Sequence, residues 1–398
     1  MSDNNKLKPG WKVWRFDQMA TNVNVRIDNP SESGMEHYVG LEHLDTDSLK
    51  IRRWGTPDDV EATKLMFKKG DIIFGRRRAY QRKLGVAEFD GICSAHAMVL
   101  RAKPDVVLPD FLPFFMQSDL FMKRAVEISV GSLSPTINWK TMAVQEFALP
   151  PMEEQRSIVQ LMAAFETTIE ELRAVGLALD RLRASLAVDR FSEGEHREPT
   201  PCSELISDGR LSLQTGPFGT VLKASAYKTE GIPIINPVNM KNGRLEISEG
   251  PFIGAEDWQR LQKYWMQTGD MVMGRKGDMS NLIYVSPEYN EFIVGSDCIR
   301  FRVNGNRIDP RYFFHFLRSE VTQNWIQGQA YGTVMPGINE KILSRLRVHI
   351  PGIDEQKNIA SEFDEIEVSV LDIQQRCAQA RSLKLTALQG IFGGGAHV

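Results

Sequence analysis

The sequence predicts a mixed α/β fold (α+β) in which two globular segments are separated by a pair of long antiparallel helices, with a pseudo-twofold internal repeat. Three observations carry this prediction. Short phrases recur at a fixed offset, each half of the chain ends in a long segment with helical periodicity, and the remainder of each half contains short apolar runs typical of strands.

The internal repeat is visible in matching phrases that follow the same order in both halves. The matching pairs are GDIIFGR at 70–76 with GDMVMGR at 269–275, SPTINWK at 134–140 with MPGINEK at 335–341, LPPMEEQRSIV at 149–159 with IPGIDEQKNIA at 350–360, and Phe191 with Phe392. Because the offset stays at 199 or 201 residues throughout, we infer a duplicated unit of about 200 residues.

The globular part of each half reads as short strands with a few helices. Runs such as GDIIFG, MVLRA, DMVMG, LIYVS and CIRFRV are apolar or alternating and are bounded by Gly, Pro, Asn or Asp, which favours strands. PDFLPFFMQSDLFMKRAVE and DPRYFFHFLRSEVTQNWIQ occupy matching places and indicate Phe-rich helices whose aromatic side chains pack in the core.

Each half ends in an amphipathic helix that begins after a proline, with two acidic residues in its first turn. The apolar residues recur in steps of three and four: Ile158, Met162, Phe165, Ile169, Leu172, Val175, Leu179, Leu182 and Leu186, then Ile359, Phe363, Ile366, Val370, Ile373, Cys377 and Ala380. A stripe that long predicts an antiparallel helix pair, and Gly176 would permit close approach. The alternative is that each helix packs only on its own globular segment.

The repeat and the helices predict the domain boundaries. These are a first globular segment at 1–149, a helical region at 150–192, a linker at 193–201, a second globular segment at 202–349, a second helical region at 350–392 and a tail at 393–398. Residues 1–149 hold 21 Lys+Arg against 19 Asp+Glu, and residues 199–349 hold 17 against 15, whereas both helical regions are acidic. Two weakly basic segments thus alternate with two acidic ones, which could separate a nucleic-acid surface from a protein-binding surface.

Composition excludes several classes of protein. Hydrophobic residues at 42% and charged residues at 25% are those of an ordinary globular chain. No run is long and apolar enough for a membrane helix or a signal peptide, so we expect a cytoplasmic protein with no membrane partner. The four cysteines lack C-x-x-C spacing and the histidines form no cluster at ligand spacing, so neither disulfides nor a metal site are predicted.

The sequence contains no complete catalytic motif. GDMVMGRK at 269–276 nearly matches a phosphate-binding loop, but Arg275 and Lys276 stand where Lys and Ser or Thr are required. INPVN at 235–239 lacks the second proline and the aromatic residue of an adenine methyltransferase loop. The sequence therefore predicts a chain without catalytic or cofactor-binding residues, and a nucleotide-binding enzyme remains as an alternative.

Two basic loops are candidate nucleic-acid contacts, because Arg and Lys anchor phosphates while Arg and Gln read base edges. The candidates in GRRRAYQRK are Arg76, Arg77, Arg78, Tyr80, Gln81, Arg82 and Lys83, and those in GRKGDMSN are Arg275 and Lys276. The frameworks agree and the tips differ, as expected for two readers of different sequences. The alternatives are solvated hairpin tips and a coiled-coil adaptor that contacts no DNA.

Taken together, GDIIFGR, PTIN, YVGLEHLD, the loop region from 215 to 245 and the duplicated PPMEEQ and PGIDEQ helix starts closely resemble the specificity subunit of type I restriction-modification enzymes. The resemblance covers essentially the whole chain. It implies two target recognition domains, at 1–149 and 202–349, that each read one half of a split double-stranded DNA target, with the helical regions as the spacer between them.

The resemblance also implies the partners of the chain. Two methyltransferase subunits would dock on the helical spacer and supply S-adenosylmethionine and adenine methylation, and two restriction subunits, when present, would supply ATP- and Mg-dependent translocation and cleavage. The chain itself would be non-catalytic. Service in a methylation-only or a related type II system is an alternative that the sequence leaves open.

Further DNA-binding residues are carried over by position from the same resemblance. These are Lys223, Tyr227, Asn236, Asn239 and Lys241 in the loops after GPFG, and Ser134, Thr136, Thr333 and Asn339 in the SLSPTIN and YGTVMPGIN segments. The alternative for the second group is a structural role, since Pro, Gly and Asn commonly shape a turn.

Overall fold

The computed structural model describes residues 7–192, 198–241, 243–247, 250–330 and 337–393. The chain divides into two compact units. The first unit comprises residues 1–173 and 374–398, and the second comprises residues 174–373. Each unit therefore contains one globular part and one half of each long helix, whereas the boundaries expected between globular segments and helical regions stay predictions.

The first globular part consists of two four-stranded sheets and a group of short helices. Its elements, with the long helix that follows, are β1 (Lys12–Arg15), α1 (Phe16–Met19), β2 (Ala20–Val23), β3 (Arg26–Ile27), β4 (Tyr38–Val39), β5 (Lys64–Phe67), β6 (Ile72–Gly75), β7 (Leu84–Val86), β8 (Gly91–Ser94), β9 (Ala97–Ala102), α2 (Phe111–Gln117), α3 (Asp119–Glu127), α4 (Trp139–Ala143), β10 (Glu146–Leu149) and α5 (Met152–Phe191). The strand orders are β2-β9-β6-β7 and β3-β5-β8-β4, and β1 pairs with β10.

The second globular part repeats the first of these two sheets, and its other strands form a three-stranded sheet and two-stranded pairs. Its elements, with the second long helix, are β11 (Thr200–Pro201), α6 (Cys202–Ser207), β12 (Leu211–Thr215), β13 (Ile232–Ile235), β14 (Met240–Lys241), β15 (Arg244–Leu245), β16 (Phe252–Ile253), α7 (Ala255–Arg260), β17 (Met271–Gly274), β18 (Leu282–Tyr284), β19 (Ile293–Val294), β20 (Cys298–Val303), α8 (Pro310–Arg318), α9 (Glu320–Gln329), α10 (Glu340–Leu343), β21 (Arg347–Val348) and α11 (Ile353–Phe392). The sheet order β12-β20-β17-β18 corresponds to β2-β9-β6-β7. The predicted mixed α/β fold with a repeated architecture is confirmed.

The apolar strand β6 is buried on both faces, which explains why its sequence does not alternate. Ile72 and Phe74 pack in one cluster with the helices α2 and α3, while Ile73 points to the other face and packs with Val99 and residues of the second sheet. A strand with two buried faces reads as a continuous apolar run, as IIF does.

The repeated Gly-Asp pair before β6 and β17 places a buried carboxylate in the same ion pair in each unit. Asp71 is 1% exposed and accepts two hydrogen bonds from Arg101, at 2.7 and 2.8 Å. Asp270 is also 1% exposed and accepts two from Arg302, both at 2.7 Å. The glycine before each aspartate has φ of +87° or +90°, a conformation that glycine adopts without strain. The repeat therefore preserves a structural lock.

The glutamine in each repeated helix start is a second lock. Gln155 is 1% exposed, and its side-chain oxygen accepts the backbone N–H of Leu108 at 2.9 Å. Gln356, equally buried, accepts the N–H of Asp309 at 2.8 Å. Each amide group also donates to the carbonyl of the proline five residues before it. Both glutamines thus tie the helix start to the loop that precedes the Phe-rich helices.

Within the first unit, the two long helices run antiparallel. Ile169 of α5 packs with Cys377 and Ala380 of α11. Three residues earlier on α5, Glu166 forms an ion pair with Lys384, which lies further along α11. The two helices therefore run in opposite directions, and their apolar residues pack against each other.

The same antiparallel packing occurs in the second unit. A Cβ placed on Gly176 would lie 3.6 Å from Cγ2 of Ile373, an ordinary van der Waals distance. Fifteen residues further along α5, Phe191 stacks on Phe363 of α11 with ring centroids 5.3 Å apart. The two helices are therefore in contact at Gly176, but this distance leaves room for a methyl group, so the contact does not require glycine.

One part of the predicted helical stripe is wrong. Val175 and Leu182 are 47% and 53% exposed, whereas Gly176 is half-buried and Ala187 is buried. The predicted apolar residues repeat every 3.5 residues on average, whereas an α-helix has 3.6 residues per turn. The residues that follow a strict seven-residue pattern therefore shift gradually away from the buried face along a long helix. The inward face has therefore passed to the neighbouring positions by the middle of α5, and several apolar side chains face solvent.

All four cysteines are buried free thiols, and burial raises the pKa of Cys202 to about 12. Such thiols behave as small apolar residues. Across the described residues, no helix combines the length and the apolar composition needed to cross a bilayer.

Candidate nucleic-acid interface

The first tip, residues 76–83, leaves β6 and returns as β7 through a short 3-10 turn at Ala79–Gln81. Arg78 and Arg82 flank this turn with φ of +57° and +52°. A left-handed backbone is uncommon for arginine and is maintained only where the surroundings enforce it. Buried Ala79 anchors the turn, so the tip is a shaped loop rather than a simple solvated hairpin.

Arg77 and Arg78 present their guanidinium groups together at the surface of the first tip. Both donate to the Ser134 hydroxyl, at 3.1 and 3.2 Å. Arg76 instead donates to the carbonyl of Ala95 at 3.1 Å, which is a structural contact. Within the part of the chain that the structure describes, no carboxylate lies at ion-pair distance from these three arginines. Paired guanidinium groups without acidic partners suit phosphate oxygens or the acceptors of guanine.

His96 lies beside this arginine pair, and the positive charge of the arginines affects the pKa of its imidazole. Its Nε2 is 3.3 Å from a guanidinium nitrogen of Arg77. Partial burial, followed by the charges of Arg77 and Arg76, lowers the pKa of His96. The neutral imidazole accepts a hydrogen bond from Arg77 in this arrangement. The sequence did not identify His96, since it is brought in from the loop between β8 and β9.

Arg82 and Lys83 have contacts of a different kind. Arg82 pairs with Asp47 at 2.5 Å and with Asp119 at 3.0 Å, and the Lys83 ammonium donates to the carbonyl of Leu41 at 2.7 Å. These contacts hold the base of the tip and neutralise Arg82. A DNA-binding role for Arg82 and Lys83 stays a prediction, and the contacts of both side chains within the protein favour a structural role.

The loop at 130–136 lies directly against the first tip. Val130 and Thr136 exchange backbone hydrogen bonds of 3.1 and 3.0 Å, and the N–H of Arg78 donates to the carbonyl of Pro135 at 2.7 Å. Ser134 and Thr136, predicted from a distant part of the sequence, therefore join the arginines at one surface. The exposed Leu133 at the apex of this loop was not predicted.

Two cavities adjoin the first tip. One of about 280 Å³ is lined by Leu41, Glu42, Arg77, Arg78, Gln81, Ser94 and His96. A larger one of about 810 Å³ includes Arg76, Asn138 and Lys140 in its lining. Tyr80 is 55% exposed, so an aromatic ring is available for contact near the arginine pair.

The second tip, residues 275–281, repeats the framework of the first. Arg275 donates to the carbonyl of Ser296 at 2.9 Å, the counterpart of the bond that Arg76 makes. The N–H of Ile338 donates to the carbonyl of Arg275 at 2.9 Å, which brings the PGIN segment against the tip. Lys276 is exposed and pairs with Asp297 at 2.7 Å. The second tip thus offers less unpaired positive charge than the first.

Asn339 has a clear structural role and Thr333 lies outside the described residues. The Asn339 side chain accepts the N–H of Ile342 at 2.9 Å and caps α10. Capping is a common role for asparagine and is compatible with the turn-shaping alternative.

The loops between β12 and β15 place the remaining candidates in different environments. Lys223 is exposed, Tyr227 is 41% exposed and Asn236 is half-buried. Asn239 is 4% exposed and accepts the N–H of Asn236 at 3.0 Å, which shapes the turn. Lys241 pairs with an exposed glutamate, Glu246, at 2.6 Å.

Exposed apolar side chains in the same loops were missed by sequence reasoning. Phe218 is 64% exposed and Val238 is 71% exposed, each beside a proline in a loop. An apolar side chain directly after a proline in a predicted loop is the signal that would have identified them, because such a residue has no strand or α-helix face to bury.

A cluster of ionisable groups in the second unit is an ion-pair network. His315, Asp364 and Glu367 place one potential ligand atom each within 4.8 Å of one another. Arg311 and Arg318 already pair with these carboxylates. Burial raises the pKa of Asp364, but hydrogen bonds from His315 and Arg311 outweigh it and lower the value to about 2. The carboxylates are neutralised by arginines, which disfavours a metal cation.

Comparison with known proteins gives consistent matches. A family model described as "Type I restriction modification DNA specificity domain" matches residues 38–175 and 219–378. The chain is 29% identical over 187 residues to the type I restriction enzyme EcoDI specificity subunit of Escherichia coli, covering 46% of this chain and 41% of that protein. The chain thus spans less than half of the length of that relative in the match.

Longer but more divergent matches extend over most of the chain. The putative type I restriction enzyme MjaX specificity subunit of Methanocaldococcus jannaschii is 21% identical over 375 residues, covering 84% of this chain and 81% of that protein. A solved structure described as the basis of complex assembly and conformational transition of the type I R-M system has a TM-score of 0.60, with 98% of both chains covered and 19% identity. At that identity the likeness shows the fold.

Proposed function

The chain belongs to the type I restriction-modification DNA specificity family, and on that premise we propose that it reads a bipartite DNA target, one half with each globular part. It is a non-catalytic DNA-recognition subunit, as family membership implies. The bipartite proposal rests on one observation. The two globular parts share the same framework around their tips, whereas the tips themselves differ. Arg76 and Arg275 make the same backbone contact, yet the residues after them differ in charge and length.

In this proposal the first tip supplies the strongest contacts. Arg77 and Arg78 present two guanidinium groups without acidic partners among the described residues, beside the Ser134 hydroxyl. Guanidinium groups bind phosphates or guanine. A hydroxyl group can donate a hydrogen bond to a base edge or accept one from it. In the second globular part, Lys223 and Tyr227 are exposed on the loop between β12 and β13.

We also propose that two methyltransferase subunits dock on the long helices. The support is a set of apolar side chains that these helices leave exposed: Leu161 and Leu383 in the first unit, and Val175, Leu177, Leu182, Val188, Val368 and Leu371 in the second. Solvent-facing apolar residues along one helix favour an unfilled protein interface. The partners would bring S-adenosylmethionine, and restriction subunits would bring ATP and Mg, in the cytoplasm where the DNA lies.

The experiment that tests base and phosphate reading at the first tip uses Arg77→Gln and Arg78→Gln together. In a complex of the full chain with its methyltransferase subunits, we expect affinity for cognate duplex DNA to fall at least about tenfold, since each bidentate contact contributes about 1–3 kcal/mol. Arg156→Gln, an exposed arginine of α5, is the matched control. Equal affinities of the double variant and the control would contradict the proposed role of the tip.

A further inference from the structure

A second cationic site lies in the first unit, away from the tip surface. It is a cavity of about 610 Å³, called here the Arg52 pocket, and it is lined by Asp45, Thr46, Asp47, Ser48, Arg52, Arg53, Glu166, Ile169, Arg173, Arg381, Lys384 and Leu385. One wall is the loop between β4 and β5, and the other wall is formed by α5 and α11. All of these residues belong to the first unit.

The carboxylates of the Arg52 pocket are already engaged by cations. Asp45 is shared between Arg52, at 3.3 Å, and Arg53. Asp47 pairs with an arginine at the base of the first tip, at 2.5 Å. Glu166 pairs with Lys384, which is 2% exposed. These acids therefore do not neutralise further positive charge in the pocket.

Two arginines of the pocket have no such partner. Arg173 on α5 and Arg381 on α11 form no ion pair with any residue that the structure describes. Both arginines line the same cavity, and an anion bound there would offset the repulsion between their like charges. Nε of Arg52 is also buried without a hydrogen-bond partner among the described residues. The lining of the pocket thus includes two guanidinium groups without an ion-pair partner among the described residues.

The Arg52 pocket shares a loop with the base of the first tip. The Thr46 hydroxyl donates to the carbonyl of Gln81 at 3.1 Å, and Thr46 forms a β-bridge with Lys83. The same loop thus forms one wall of the pocket and supports the base of the first tip. Under the proposed function, the anion next to the first tip is the DNA backbone, which carries one phosphate every few ångströms.

We propose that the Arg52 pocket binds a backbone phosphate of the duplex next to the half-site read by the first tip, with Arg173 and Arg381 as its principal donors. This inference rests on the proposed function. Guanidinium groups suit the site because they bind phosphate oxygens in a bidentate way. The contact belongs to the first half alone, since the positions equivalent to Arg173 and Arg381 at an offset of 201 are Gln374 and Asp180.

The experiment measures DNA affinity as a function of salt for the full chain in complex with its methyltransferase subunits. In Arg173→Gln/Arg381→Gln, we expect the log–log salt slope to become shallower by about 0.9 per lost phosphate contact. If this electrostatic contribution vanishes near 1 M salt, the loss of this one contact lowers affinity about 8-fold at 0.1 M. The same relative loss is expected for cognate and non-cognate duplexes, because a phosphate carries no sequence.

Matched control variants distinguish an effect of lost positive charge from an effect of disturbed folding. Arg181→Gln removes another exposed arginine of α5, outside the pocket, and is expected to leave slope and affinity unchanged. Arg173→Lys/Arg381→Lys keeps the charges and is expected to retain most of the salt slope. Glutamine is a good helix former, so the exposed helix positions tolerate it.

Three results would overturn the proposal. An unchanged slope and affinity in the double variant, with wild-type sequence preference intact, would reject the pocket and leave the proposed function standing. Loss of the methyltransferase subunits from the complex would show that the pocket takes an acidic protein segment, and ATP binding that disappears in the double variant without a change in DNA affinity would assign it to a free nucleotide. If the wild-type complex bound all duplexes equally, the proposed function itself would fail.

Discussion

The buried glutamine of each repeated helix start allows one prediction to be worked out in detail. Replacing Gln155 by alanine removes an acceptor for the N–H of Leu108 and a donor to two carbonyls, those of Val106 at 3.3 Å and Pro150 at 3.0 Å. Because the side chain is 1% exposed, water does not replace these bonds without rearrangement.

The expected cost follows from those three bonds. A buried donor left unsatisfied costs about 1–3 kcal/mol, and the two carbonyls and the small cavity add to it. We therefore expect Gln155→Ala to lower the free energy of unfolding of the first unit by about 2–4 kcal/mol. Gln356→Ala has the same expected cost in the second unit, because Gln356 bonds to Asp309, Arg307 and Pro351 in the same way.

The assay is chemical denaturation combined with amide hydrogen exchange. Exchange at the Leu108 amide is expected to accelerate in Gln155→Ala, and exchange at the Asp309 amide in Gln356→Ala. Gln160→Ala and Gln375→Ala, at exposed positions of the same helices, are controls expected to change stability by less than about 0.5 kcal/mol. If the buried and exposed substitutions had equal effects, the view of these glutamines as locks would be refuted.

Three further predictions concern stability. Gly176→Ala is expected to raise the unfolding free energy by up to about 1 kcal/mol, because helix propensity improves and the methyl group meets Ile373 at an ordinary distance; no rise in thermal midpoint would contradict this. Asp71→Asn and Asp270→Asn should each cost roughly 2 kcal/mol in denaturant titrations, since each loses charged hydrogen bonds, and an unchanged midpoint would argue against the repeated lock. The pKa of Asp364 is lowered from 3.8 to about 2, so its contribution to stability is present above about pH 4 and is lost as pH falls toward 2. Unfolding titrations across that range should show a steeper acid loss in the wild type than in Asp364→Asn, and parallel curves would contradict the assignment.

The fold was largely predictable because its signals are local or duplicated. A repeat at constant offset does not depend on any single propensity, and it identified both long helices and the matching strands. The glutamine of the helix start was visible as a repeated letter, although only the structure shows that Gln155 is buried against a loop. The buried face of α5 was harder to predict. A small error in the number of residues assumed per turn places Val175 on the wrong side of a long helix.

The candidate site was predictable as a region but not residue by residue. Arg77 and Arg82 belong to the same basic run, yet Arg82 is neutralised by Asp47 and Asp119, which lie 35 and 37 residues away in sequence. His96 and Arg173 likewise gain their significance from neighbours that are distant in the chain. A charge run shows that cations are present, whereas tertiary contacts decide which of them remain available to a ligand.

The central claim, that two dissimilar readers in one chain direct a methyltransferase to a split DNA target, is tested most directly by mapping methylated adenines. The full chain is coexpressed with its methyltransferase, and modified positions are mapped genome-wide. The account predicts a two-part motif with a constant unread gap, and exchange of residues 202–349 for another such domain should alter one part only. A single uninterrupted motif, or a change in both parts after the exchange, would contradict it.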